Sequence, residues 1–239
     1  MCKRYRSLLA LLVAISMLSL ALACASDDDE EDEEDAPETP ALTAYKPSGN
    51  EGSIAGTINF SGTAPEAKPI SMDADAACAS ANPNAKTEEV MVNGGKLDNV
   101  FVYLKEGDVT DPKRKLSTLA FDVPSQPVVL DQKGCQYTPH VLGVMTKQLL
   151  RVTNSDQTAH NVHPLPKSNQ EWNQSQPAGA GPLEKTFTRP ETLIPVKCNQ
   201  HPWMKSYVGV LNHPLYGVST NGGKFEIKGV PPGTYTVVA

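Results

Sequence analysis

The chain has 239 residues, 39% hydrophobic and 20% charged, which is ordinary for a globular protein and long enough for one large domain or two small ones. The net charge of −6 misleads: nine of the 27 acids lie in residues 27–35 and three of the 21 bases in the first six, so the remainder balances and excludes a basic nucleic-acid footprint. Twenty prolines and 17 glycines argue for many turns and little long helix, hence an all-β chain.

The chain opens as an address. "MCKRYRS" is a basic lead, and "LLALLVAISMLSLALA" is an apolar run ending in small residues before Cys24. The run is short for a membrane span, and the acidic run behind it is a poor membrane flank. "LALAC" resembles a bacterial lipobox, although Ala21 stands where leucine is preferred. The resemblance implies that residues 1–23 are a lipoprotein signal peptide and that Cys24 becomes the lipidated N-terminus. The protein is then exported to a bacterial cell envelope and anchored by lipid, facing the periplasm or the cell surface. Residues 24–50 are acidic, then rich in Pro, Thr and Ala, and read as a solvated tether.

Residues 51–239 read as strands and turns. "SIAGTINFSG" alternates and ends in a turn, and Asn93-Gly94-Gly95 sits between two strand-like runs as a hairpin signal. "QPVVLDQKGC" and "KQLLRVTN" are further strands, "LEKTFTRPETLIPVKC" runs extended into its cysteine, and "SYVGVLNH" leads out of it. "GKFEIKGVPPGTYTVVA" reads as a last hairpin-like pair joined by Pro-Pro-Gly, still in a strand pattern at Ala239, which suggests that the natural chain continues. Seven or more short strands predict a β-sandwich. The two ends, "GSIAGTINFSGTAPEAKPI" and "STNGGKFEIKGVPPGTYTVVA", resemble the start and finish of carboxypeptidase-regulatory-like β modules, which implies that the termini pair.

Cys198, His201 and Met204 stand three residues apart in "VKCNQHPWMKSYVGV". Each alone is unremarkable, since Cys and Met fill cores and a lone His is often structural. Together they are a thiolate, an imidazole and a thioether, the soft and borderline donors that copper takes; an electron-transfer copper site adds a second imidazole. "LLRVTNSDQTAHNVHPLP" offers His160 and His163 just past a strand-like run.

This pair of motifs resembles the cupredoxins, the type 1 blue copper proteins. "AHNVH" is similar to the His-Asn-Val first-ligand motif of plastocyanins and amicyanins, and "CNQHPWMK" resembles the short amicyanin ligand loop. The resemblance covers about residues 145–212. It implies a cupredoxin-like Greek-key β-sandwich with additional strands, binding one type 1 copper through His160, Cys198, His201 and Met204. It further implies that Asn161 ties the two ligand loops together. Pro202, which lacks an amide hydrogen, stiffens the turn after His201, and Trp203 either shields the copper edge and docks a partner or packs into the core. His201 is then the ligand nearest solvent and the electron exit, and His163 is left out.

Of the remaining cysteines, Cys2 leaves with the signal, and Cys78 and Cys135 are expected to pair, as spare cysteines do in exported proteins. His140 and His213 lack a ligand-like pattern. The expected function is an electron carrier, not an enzyme, serving a cytochrome, dehydrogenase or reductase partner, with the membrane reached through the lipid and no nucleic acid involved. Copper trafficking or storage, and a structural surface β-domain, are the alternatives. Five histidines are too few for a trinuclear oxidase cluster, and a binuclear centre needs a second cysteine in the ligand loop.

Overall fold

The computed structural model describes residues 41–109 and 115–239, with no side-chain description for 106–109. The signal peptide, Cys24 and the acidic run lie outside the described residues. The fold is all-β. In chain order it runs β1 (Thr43–Ala44), β2 (Gly52–Thr57), α1 (Ala76–Ala81), β3 (Val92–Asn93), β4 (Lys96–Leu97), β5 (Phe101–Val109), β6 (Leu119–Ala120), β7 (Val128–Gln132) and β8 (Tyr137–Thr138). It continues through β9 (Val141–Met145), β10 (Leu150–Asn154), β11 (His160–Pro164), β12 (Gln174–Gln176), β13 (Leu183–Lys185) and β14 (Glu191–Lys197). It ends with β15 (Lys205–Leu211), β16 (Tyr216–Val218), β17 (Lys224–Val230) and β18 (Gly233–Val238).

Two mixed sheets make the main sandwich. One has the order β13-β10-β7-β8 and the other β12-β11-β14-β15-β9, with β7 parallel to β10 and β9 parallel to β15. Leu130, Leu150 and Val152 of the first meet Val162, Ile194, Val196, Val208 and Val210 of the second in one buried core. Cys198 and Met204 belong to this core, so the ligand motif is built into it.

The chain ends add further layers. β17 pairs antiparallel with β2, and β5 lies between β16 and β18. Strand alternation explains how β5 serves two cores. Val102 and Leu104 face Leu215, Ile227 and Val230, while Phe101 and Tyr103 face Val141, Leu211 and Tyr216. The paired glycines Gly143 of β9 and Gly209 of β15 leave a flat strip on which the Tyr216 and Phe101 rings lie; a Cβ at either glycine would collide with them.

Three expectations are revised. The Pro-Pro-Gly segment does not close a hairpin, because β17 and β18 join different sheets, β17 pairing with β2 and β18 with β5. The expected tether to residue 50 is docked from Thr43 onward: β1 pairs with β6, and the Tyr45 ring packs 4.7 Å from Phe121. The long extended run before Cys198 is two strands, β13 and β14, of different sheets. The Gly94-Gly95 turn does close a hairpin, β3 with β4, both glycines having the positive φ that a tight turn of this kind needs.

Candidate metal centre

Three elements bring the donors together. β14 and β15 are antiparallel, and their terminal pair Lys197↔Lys205 closes a loop holding Cys198, His201, Pro202, Trp203 and Met204. Inside it the Met204 amide donates to the His201 carbonyl at 2.9 Å and the Cys198 amide to the Met204 carbonyl at 3.3 Å. β11 starts with His160 and pairs with β14 at His163↔Lys197, which sets the first histidine beside the loop. Hydrogen-bonded strands are among the most precise supports available to a site.

The geometry is convergent. His160 Nδ1 and His201 Nδ1 face each other at 2.9 Å, and Cys198 Sγ lies 3.7 Å from His201 Nδ1. His160, Cys198 and His201 all offer donor atoms within 4.8 Å of one another, and all three are buried. Two donors held about 2.0–2.3 Å from a tetrahedral ion stand roughly 3.3–3.7 Å apart; the 3.7 Å between Cys198 Sγ and His201 Nδ1 meets this, and the 2.9 Å between the two Nδ1 atoms is shorter and must widen to take an ion. The outer nitrogens of both rings face carboxylates, which fixes Nε2–H as donor and turns two lone pairs toward each other beside a sulfur. Lone pairs so placed are satisfied by a shared proton or by a metal ion between them. Met204 is fully buried in the same core.

The remaining named residues fall around this cluster. Asn161 is nearly buried; its Oδ1 accepts the Asn199 amide at 2.5 Å and lies 3.3 Å from Cys198 Sγ. Its own backbone N–H points at the same sulfur at 3.4 Å, so this one residue joins the two ligand segments. The Trp203 ring lies 5.1 Å from the His201 ring, and its Nε1–H donates to the Cys135 carbonyl at 3.0 Å. Pro202 sits at the exposed tip of the loop. His163 is turned elsewhere, between Glu171 at 2.6 Å and Asn199 at 3.2 Å, and His140 stands 3.6 Å from Glu88. Cys78 and Cys135 are joined by a disulfide, and Cys198 is the free cysteine among the described residues.

Burial lowers the His160 imidazole below its usual range, against the pull of Asp156, which keeps the ring neutral and able to ligate. Burial, with the Cys198 charge nearby, keeps the Tyr137 phenol protonated far up the pH scale, and it donates to the Asn161 carbonyl at 2.6 Å.

His201 is the most exposed of the four donors, yet it is only 5% exposed and forms no open edge. Asp75 and Cys78 from α1 cover its Nε2 side, at 3.1 Å and 3.7 Å. Sequence reasoning missed Asp75 and Asp156. Signals for both were present: an acid before the small-residue run "AACASA" is a helix N-cap pattern, and Asp156 stands four residues before His160.

No protein-family model and no curated protein matches the chain. Among solved structures the chain is similar to cupredoxins. A reduced amicyanin variant is 24% identical over 37% of this chain and 86% of its own, with a TM-score of 0.32. A copper-containing nitrite reductase from Thermus scotoductus is 22% identical over 36% of this chain, with a TM-score of 0.32; the chain spans about a fifth of that enzyme, 22% of its length. A purple cupredoxin from Nitrosopumilus maritimus is 20% identical over 35% of this chain and 98% of its own, with a TM-score of 0.29.

Proposed function

We propose that the chain is a mononuclear type 1 copper protein acting as an electron carrier, anchored at a bacterial envelope by a lipid on Cys24. The observation that carries this reading is the facing pair of Nδ1 atoms beside the Cys198 sulfur, closed into a buried β-framework with Met204. The donor set fits copper: His160, Cys198 and His201 would hold the ion, and Met204 would supply a weak thioether donor. Copper contributes one-electron cycling between Cu(II) and Cu(I). The chain keeps the donors in one arrangement that suits both states. β11, β14 and β15 hold them, Asn161 locks the two segments together, and the surrounding apolar core excludes water from the sulfur.

A carrier needs a side of its site within electron-tunnelling reach of its partner. With His201 covered, Trp203 has that place. It touches the His201 ring and lines a shallow depression with Ile70, Glu88, Glu89, His140 and Lys205. The partner is a one-electron donor or acceptor, a cytochrome, dehydrogenase or reductase. Deep burial of the donors argues for a resident ion over an exchangeable cargo.

The test is the visible and EPR spectrum of the protein with Cu(II), beside Cys198→Ala. An intense thiolate-to-copper band with narrow parallel hyperfine splitting, lost in the variant, is expected. A colourless protein, or identical weak signals from both, would remove the reading.

A further inference from the structure

Each histidine of the site is held from behind in the same way. His160 Nε2–H donates to Asp156 Oδ2 at 2.9 Å, and that carboxylate also accepts the backbone amides of Gly134 at 2.6 Å and Cys135 at 2.8 Å. His201 Nε2–H donates to Asp75 Oδ2 at 3.1 Å. Asp75 Oδ1 accepts the amides of Ala77 at 2.8 Å and Cys78 at 3.2 Å, which makes it the N-cap of α1, and its Oδ2 also takes the Thr158 hydroxyl at 2.8 Å. The two carboxylates therefore grip the backbone of Cys78 and Cys135, and these two residues are bonded to each other. The chain closes a ring: His160, Asp156, Cys135, Cys78, Asp75, His201.

Two further clusters, Asp75 with Cys78 and His201, and Cys135 with Asp156 and His160, have metal-like proximity. They are not metal sites, since both sulfurs are spent in the disulfide and neither is a thiolate. What remains is a support. Carboxylates behind metal-bound imidazoles fix ring orientation and tautomer and raise basicity. Here one covalent bridge fixes both carboxylates relative to each other.

On the metal-site reading above, we propose that Asp75, Asp156 and the Cys78–Cys135 disulfide form a single positioning collar. The collar holds both imidazoles with Nε2 protonated and Nδ1 directed at the ion, and it seals the His201 edge that would otherwise open to solvent. Asp75 and Asp156 are positioning residues; neither touches the ion.

Asp75→Asn separates this role from ordinary structural support. Asparagine still caps α1 through its Oδ1. Its amide group then meets His201 Nε2–H donor to donor, and the ring escapes by moving its proton to Nδ1, the atom that should ligate. The full chain, Asp75→Asn, Asp156→Asn and the double variant Cys78→Ser/Cys135→Ser are titrated with Cu(II) against a competing chelator. Nitrogen-15 NMR of the metal-free full chain and of Asp75→Asn reports the histidine tautomers. The expected results are 10–100-fold weaker Cu(II) binding in each variant, protonated Nε2 on both rings of the unaltered chain, and a shift of the His201 proton in Asp75→Asn. Unchanged Cu(II) affinity and tautomer in Asp75→Asn, or a bare Nε2 on either ring of the unaltered chain, overturns the collar. Cys198→Ala run alongside tells the two failures apart. If it abolishes the Cu(II) charge-transfer band while the aspartate variants bind normally, the site stands and the collar falls. If it changes nothing, both fall.

Discussion

Replacing Asn161 with alanine removes a buried side chain that joins the two ligand segments. Its Oδ1 is the partner of the Asn199 amide at 2.5 Å, its Nδ2 donates to Asn173 at 2.5 Å, and the residue is 6% exposed. The Asn173 bond is replaced by water, because Asn173 is exposed. Asn199 is exposed as well, so water can reach its amide and the loss is the net worth of one hydrogen bond, about 0.5–1.5 kcal/mol. Taking about 1 kcal/mol, and about 2–4 °C per kcal/mol for a domain of this size, the metal-free protein should melt about 2–4 °C lower. The effect is local, because β11, β14 and β15 keep their own ladder. Amide hydrogen exchange should therefore accelerate at Asn199 and little at Val196 or Val208. Calorimetry gives the first number and exchange the second. An undiminished Asn199 protection factor together with a melting shift below about 1 °C would refute the reasoning that this side chain carries the connection.

Three further outcomes are expected. Gly143→Ala or Gly209→Ala places a methyl group inside the Tyr216 or Phe101 ring and should cost about 1–3 kcal/mol in urea denaturation; trimming the facing ring to Leu should recover part of that, and strictly additive losses would show that the strip is not the contact. Burial pushes the His213 imidazole from 6.5 down to about 4, so the unfolded chain takes up a proton first as pH falls; stability is complete above 6.5 and should decline by about 3 kcal/mol between 6.5 and 4. His213→Gln should flatten that slope, and an unchanged slope would rule His213 out as its source. Cu(II) should quench emission from Trp203, which contacts His201, more than from Trp172; equal fractional quenching in Trp203→Phe would place the ion elsewhere.

What was readable in the sequence was local. Cys198, His201 and Met204 lie within one loop, and their spacing alone shows that a single turn presents them. The strands around them read correctly because alternation is a two-residue property. The Gly94-Gly95 hairpin read correctly because positive φ is a property of the turn itself. Pro-Pro-Gly misled because a turn signal says where a chain bends and not which sheet it enters next. The docking of Thr43–Ala44 onto β6 was invisible for a related reason: the two partners, Thr43 and Leu119, are 76 positions apart, and two-residue strands carry no period.

The covered His201 edge is the case where local reading had the largest consequence. A motif match transfers the loop and, with it, the open histidine edge that the loop has in the proteins it resembles. That edge is a property of what lies over the loop. Here the cover comes from residues 75–78, more than a hundred positions upstream and outside the stretch that carries the motifs. α1 is six residues long and cannot be stable by itself; Asp75 at its N-cap and Cys78 in the bridge hold it in place. The same two residues face His201 Nε2. The feature that makes so short a helix fold therefore also encloses the histidine.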